Sequence, residues 1–305
     1  MKIIHRKILC GIISCALTFF LIGAFVQEAG AVIYLSENWD SGTPPSGWPC
    51  KSAPTSCTRS AFNGWYNETV EYCSDFPEWA NTGLSTTRAK SGTRSFYQYR
   101  KAGVSESCDI LKNLSQPYPT NIYVGFWLYL DSNFINFNTP TAREPSYHLF
   151  FTNSAQSQTA LRINILSKVP YTSPHLCGAG ENYPNQPYAF FSVQDYDREW
   201  PVGTYPAGCY NLLEHLNEWV WYEFNLNANT NTVKIWANGT LVYQGTDRIT
   251  QTNFTYIMLS NYMSSEDGTG FATSYYIDDF TISDSYIGPG EKTAPNSPTG
   301  LRVME

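Results

Sequence analysis

Thr232-Val233-Lys234-Ile235-Trp236-Ala237-Asn238-Gly239-Thr240-Leu241-Val242-Tyr243 reads as two strands joined by a tight turn. Asn-Gly accepts positive φ at both central positions, as a two-residue type I′ turn requires. Working outward, strand-like runs separated by turn signals recur along the chain. They cover Val32–Glu37, Ser95–Arg100, Ile122–Leu130, Tyr147–Thr152, Ala160–Leu166, Tyr188–Val193, Val220–Leu226, Tyr256–Tyr262 and Tyr275–Ser283. Only Asn211–Glu218 reads as a short helical turn. The chain is rich in Tyr, Trp and Phe, with 22, 9 and 17 of them. Such residues suit a pleated, half-buried surface, whereas the good helix formers Leu, Ala, Lys and Glu are scarce. The expected fold is therefore all-β: one antiparallel β-sandwich jelly roll over 32–287, with long loops at 44–67, 170–187 and 196–208. Residues 288–305 read as a Gly/Pro linker whose last part resembles the first strand of a fibronectin type III module.

The first residues point to export. Lys2, Arg6 and Lys7 precede an apolar run from Ile8 to Val26, and Ala29-Gly30-Ala31 offers small residues for cleavage. That is the layout of a signal peptide over 1–31; the competing reading is a retained anchor, since the run is long enough to span a bilayer. Six cysteines then remain, Cys50, Cys57, Cys73, Cys108, Cys177 and Cys209, an even number that suits three disulfides in an oxidising compartment. Sequence alone does not choose the pairing, and no C-x-x-C or paired-His spacing suggests zinc. The leader carries three basic residues and one acid, so its loss takes the net charge from −7 to −9. With no basic run left, nucleic acid and anionic membrane surfaces are poor partners. The expected location is secreted, periplasmic or on the cell surface. Asn67, Asn113, Asn238 and Asn253 stand in N-x-S/T sequons.

Three segments together resemble the concanavalin A-like lectin and glucanase jelly rolls. They are Glu37-Asn38-Trp39-Asp40-Ser41-Gly42, then Trp221-Tyr222-Glu223-Phe224-Asn225-Leu226-Asn227 with the hairpin, and finally Tyr275-Tyr276-Ile277-Asp278-Asp279-Phe280-Thr281-Ile282-Ser283. The resemblance implies first and last strands lying side by side. Within that superfamily the chain looks most like the jelly-roll polysaccharide lyases of the alginate type, whose strand motifs run R-x-E-L-R, Q-I/V-H and Y-F-K-A-G-x-Y-x-Q. Tyr262 falls on the catalytic tyrosine of the third motif, His148 on the histidine of the second, and Gln98 with Arg100 on the first. Phe96, Met258 and Ser264 depart from it, standing where an arginine, a lysine and a glutamine belong, so activity is less well supported than fold.

What the resemblance implies is β-elimination of a uronic-acid polymer. Such a reaction neutralises a carboxylate, removes the neighbouring ring proton and protonates the leaving oxygen. Arg or Asn suits the first task, His or Tyr the second, Tyr the third. Strand alternation puts Gln98 with Arg100, and Arg162 with Asn164, on shared faces; with His148 and Tyr262 in one groove they would make a complete set. Taken singly, each has an ordinary structural alternative, a core tyrosine or a paired arginine. A retaining glycosidase would need two close carboxylates, for which the glucanase string E-x-D-x-x-E is absent.

The alternative to an enzyme is a lectin-like module or surface adhesion protein, whose partner is again polysaccharide. Trp219, Trp221 and Glu223 share one strand face and could form a sugar platform, while Val220, Tyr222, Phe224 and Leu226 form the more uniformly apolar face. Asp278 and Asp279, with Glu37 or Asp40, suggest a structural Ca2+ where the terminal strands meet; the alternative is that these carboxylates cap turns or bind backbone amides.

Overall fold

The structure is a computed structural model that describes residues 31–43, 61–63, 65–67, 80–100, 110–137, 146–153, 161–167, 189–195, 198–200, 210–246, 249, 252–259, 263–264 and 273–290. Residues 1–30, Cys50, Cys57, Cys73, Cys108, Cys177, Cys209, Tyr262 and residues 291–305 lie outside the described residues, so the expected signal peptide, disulfides and linker tail fall largely outside them too. The strands in chain order are β1 (Ile33–Glu37), β2 (Ala61–Phe62), β3 (Trp65–Asn67), β4 (Ala80–Ser85), β5 (Ser95–Arg100), β6 (Ile110–Asn113), β7 (Asn121–Leu130), β8 (Ser146–Asn153) and β9 (Leu161–Ser167). They continue with β10 (Ala189–Asp195), β11 (Arg198–Trp200), β12 (Trp219–Asn227), β13 (Thr232–Ala237), β14 (Thr240–Gly245), β15 (Tyr256–Leu259), β16 (Met263–Ser264) and β17 (Thr273–Ser283).

These strands form two antiparallel sheets. Sheet A runs β14-β13-β12-β7-β17-β5-β4, with β1 also on β17; sheet B runs β11-β10-β9-β8-β15-β6-β3-β2, with β16 on β8. The first and last strands are neighbours: β1 pairs with Phe280–Ser283 of β17, and β5 pairs with Thr273–Ile277 of the same strand. Between the two pairings β17 carries a bulge at Asp278–Asp279, where Asp279 takes a φ of 48°. The fold is the jelly-roll sandwich expected from the sequence.

Alternation fills the space between the sheets. Val220, Tyr222, Phe224 and Leu226 of β12 are all buried in the core, as are Ile163 and Ile165 of β9 and Leu149 of β8. Phe126, Phe224 and Phe280 stack at 5.8 and 5.6 Å, and Phe191 of sheet B meets Tyr222 and Phe224 edge-on. Each such ring removed from water contributes about 2–3 kcal/mol. The hairpin forms where its residues place it, with φ of 45° at Asn238 and 81° at Gly239. The helical turn is a short 3-10 segment, Leu212–His215, whose start is capped by the Asn211 side chain accepting from Leu213 N at 3.1 Å.

Three expectations are refined. Of the strand expected over Tyr256–Tyr262, β15 covers Tyr256–Leu259, residues 260–262 lie outside the described residues, and β16 pairs with β8 as an addition. The stretches expected as loops at 44–67 and 196–208 contain β2, β3 and β11. Two strands, β4 and β6, were not expected: β4 holds Gly83 and few β-branched residues, and β6 has only four residues. Among the described residues no helix is long and apolar enough to cross a membrane.

Candidate functional site

Two segments of the chain cover parts of the outer face of sheet A. Glu223 is fully buried there because the segment after β17 crosses it. Its two carboxylate oxygens accept from Ile287 N at 2.7 Å and Gly288 N at 2.8 Å, and Trp221 Nε1 donates to it at 3.4 Å. Tyr286 of the same segment packs on Trp236 at 5.3 Å and on Tyr123 at 6.4 Å. Trp221 is left 3 % exposed. Of the expected platform, only Trp219 keeps a partly open ring; Trp221 and Glu223 anchor this strap.

A second carboxylate pins a second covering segment. Asp278 sits in the bulge of β17, fully buried, and its Oδ2 accepts from the backbone N–H groups of Lys90 and Ser91 at 2.8 and 3.0 Å. Its Oδ1 accepts from Asp279 N at 2.9 Å. Burial pushes the Asp278 carboxyl up to about 7, against the downward pull of those N–H groups. Asp279 accepts from Ser91 Oγ at 2.7 Å, and the Lys90 ammonium lies 4.2 Å over the Trp127 ring. At the far end of the segment, Asp40 Oδ1 accepts from Thr93 N, Thr93 Oγ1 and Arg94 N, while the Arg94 guanidinium donates to the Asp40 carbonyl. Glu37 accepts from Trp39 N at 2.9 Å and from Asn63 Nδ2 at 3.3 Å, which ties β1 to the β2–β3 turn of the other sheet.

These contacts test the calcium expectation. A Ca2+ site needs six to eight oxygens turned toward one point. Here Glu37, Asp40, Asp278 and Asp279 turn toward N–H and O–H donors. Among the described residues no three His, Cys, Asp or Glu side chains come together. The quartet does not fit one shared cation; its oxygens order the 88–94 segment and the first strand.

The six expected catalytic residues do not share a sheet. Gln98 and Arg100 belong to β5 in sheet A, and the Gln98 side chain is fully buried on the face that Phe96 presents to the core, its amide O and N without hydrogen-bond partners among the described residues. Gln98 therefore faces no groove. His148, Arg162 and Asn164 belong to β8 and β9 in sheet B. Position 148 is the register partner of 164, and 162 pairs with Phe151 and Gln194. Met263, which follows Tyr262 in the chain, pairs with Tyr147, which precedes His148. The strands flanking β15 are β8 and β6, so β5, which carries Gln98 and Arg100, does not adjoin it. There Leu111 and Met258 are register partners, buried against each other outside the main core with Tyr256 beside them. Lys112 of β6 instead donates to the Asn63 carbonyl and lies over Trp65; burial holds its ammonium below the usual range.

No family model and no curated protein matches this sequence. Solved structures with a similar chain course include a cellulose induced protein, Cip1, at 15 % identity and a TM-score of 0.46, covering 70 % of this chain and 89 % of that one. An endo-β-1,4-glucuronan lyase from the fungus Trichoderma reesei is similar at 12 % identity and 0.40, over 75 % of this chain and 96 % of that one. A sialidase reaches 12 % and 0.41, over 73 % of this chain and 17 % of that one. Likeness at this level concerns the course of the chain.

One arrangement had no signal in the sequence. Tyr97 of β5, Tyr276 of β17, Tyr129 of β7 and Trp219 of β12 form a single cross-strand row, each the register partner of the next. Successive ring centroids are 4.8, 5.8 and 5.5 Å apart. The Arg88 guanidinium lies 4.4 Å over Tyr129 and 5.8 Å from Tyr276, with Asp131 3.6 Å away. Each residue is unremarkable alone; only strand register aligns them.

Proposed function

We propose that the chain recognises an extracellular polysaccharide along sheet B, and that β-elimination of a uronic-acid polymer is the chemistry this sheet is equipped for. One observation carries the proposal: the pairing that sets position 148 against 164 and Met263 against Tyr147. It brings an imidazole, an amide and the residue next to a tyrosine onto adjacent strands, with Arg162 two positions from Asn164. Those are the residue types that neutralise a carboxylate, take a ring proton and return one to the leaving oxygen. Incubation of the mature protein with alginate, glucuronan and pectate, followed by ultraviolet absorbance of new unsaturated ends, tests it. We expect turnover that His148→Ala and Tyr262→Phe reduce at least a hundredfold. Absence of turnover on every uronate polymer refutes the enzymatic part.

The second reading is a lectin, favoured by Met258: it stands where the third lyase motif carries its lysine, and it is buried against Leu111. Retention of the protein on a uronate column without turnover, lost in Arg162→Ala, would establish it. If neither turnover nor retention appeared, a structural adhesion protein would be the better description.

A further inference from the structure

We infer that the row Tyr97–Tyr276–Tyr129–Trp219 is a second carbohydrate site, on the opposite side of the sandwich from sheet B, that takes a neutral pyranose chain. The four rings cross four strands, about 14 Å at the usual strand spacing, the scale of a short oligosaccharide. The end rings, Tyr97 and Trp219, are only partly buried, whereas Tyr129 and Tyr276 between them are 6 % exposed beneath Arg88. A sugar chain laid along the row would thus meet an aromatic ring at each end and a polar bridge in the middle. Aromatic faces bind the C–H faces of pyranoses, and a few placed polar groups select their hydroxyls.

The polar groups suit hydroxyls rather than charges. Arg88 offers donors, and Asp131 beside it offers an acceptor, a pairing that matches two neighbouring hydroxyls of one ring. Asn133 and Ser274 hydrogen-bond each other at 3.0 Å, and the Ser274 hydroxyl donates to Asp131 at 3.3 Å, which holds the acceptor side in place. At the other end Tyr129 Oη donates to Asn217 Oδ1 at 3.5 Å. Asp131 neutralises Arg88, so the row carries no surplus positive charge for a uronate. Burial first, then the nearby Asp131, raises the Tyr276 phenol against the pull of Arg88, and burial raises Tyr97 likewise, so both phenols stay neutral hydrogen-bonding groups.

The test is titration of the full mature chain with cello-, xylo- and mannohexaose and with an oligouronate, followed by calorimetry and by NMR shifts of assigned side chains. We expect at least one neutral hexaose to bind, with shifts confined to Tyr97, Arg88, Asn217 and Trp219. That binding should weaken at least tenfold in Trp219→Ala and in Tyr97→Ala, survive in Trp219→Tyr, and be unchanged by His148→Ala or by 0.5 M salt. Shift mapping on the unaltered protein covers the case where an alanine variant does not fold. Three outcomes would overturn the inference: no neutral hexaose bound at millimolar concentration, shifts elsewhere than the row, or an oligouronate bound at the row more tightly than any neutral sugar. Because His148→Ala leaves this face intact, failure here and failure of the sheet B proposal are read separately.

Discussion

Replacing Glu223 by Gln asks how strongly one buried carboxylate holds the segment after β17. In the native chain each oxygen takes one backbone N–H, from Ile287 at 2.7 Å and from Gly288 at 2.8 Å. Gln keeps the shape but has a single acceptor oxygen, so its amide NH2 must face a backbone N–H. One charge-assisted bond, about 1.5–3 kcal/mol, is lost, and the surviving bond becomes a neutral one of about 1 kcal/mol. A buried donor left without an acceptor adds to this, and the total is about 2–4 kcal/mol. The sandwich need not unfold to relieve it, because the strap can lift while the sheets stay paired. The local effect should therefore exceed the global one. Hydrogen exchange read by NMR separates the two. The amides of Ile287 and Gly288 should exchange at least thirtyfold faster, the equivalent of about 2 kcal/mol, while those of Phe126 and Phe224 in the centre of sheet A change little. Trp221 and Trp236 should gain solvent exposure, visible as a red-shifted fluorescence. A folded variant in which Ile287 and Gly288 exchange within threefold of the native rate would refute the claim that Glu223 is the anchor.

Gly125→Ala acts on the same region by overpacking. A Cβ there would lie 2.5 Å from Cζ2 of Trp221 and 3.2 Å from Cδ1 of Ile287, so about 1–3 kcal/mol should be lost in urea unfolding; an unchanged midpoint would show that the indole moves freely. Asp278 supplies a pH dependence. Its folded carboxyl stands at about 7, above the usual value near 3.9. The folded state therefore holds the proton more tightly, and this group's contribution is fully present below about pH 4 and lost as pH rises through 7. Relative to Asp278→Asn, the native melting temperature should fall steadily between pH 4 and 7; parallel curves would place the Asp278 pKa near its ordinary value.

The sequence made local features legible and left long-range ones hidden. The hairpin Thr232–Tyr243 depends on two adjacent residues that accept positive φ, and β5 is delimited by its own alternation of Phe96 and Gln98 with Tyr97 and Tyr99. The apolar face of β12 was legible for the same reason. Alternation assigns a side chain to a face, however, not a strand to a sheet. Gln98 and His148 could thus be placed in one groove on paper, while β5 and β8 lie in different sheets. Glu223 and Asp278 show the other limit. Each resembles a site residue in its own strand, and each owes its burial to a partner far off in the chain, 64 residues away for Ile287 and 188 for Lys90. A carboxylate that binds backbone N–H groups and one that binds a ligand look alike until the covering segment is seen.

The strap has a practical consequence for anyone mounting this protein on a surface. Pro289 comes within 3.5 Å of where a Gly239 side chain would begin, and a Cβ at Gly290 would meet nothing within 4 Å. Gly288–Gly290 therefore lie beside the β13–β14 turn, with Gly290 open to solvent. A biotin on a cysteine introduced at position 290 would tether the molecule from the sheet A side, so chip-based assays with large polymers should be coupled through that position.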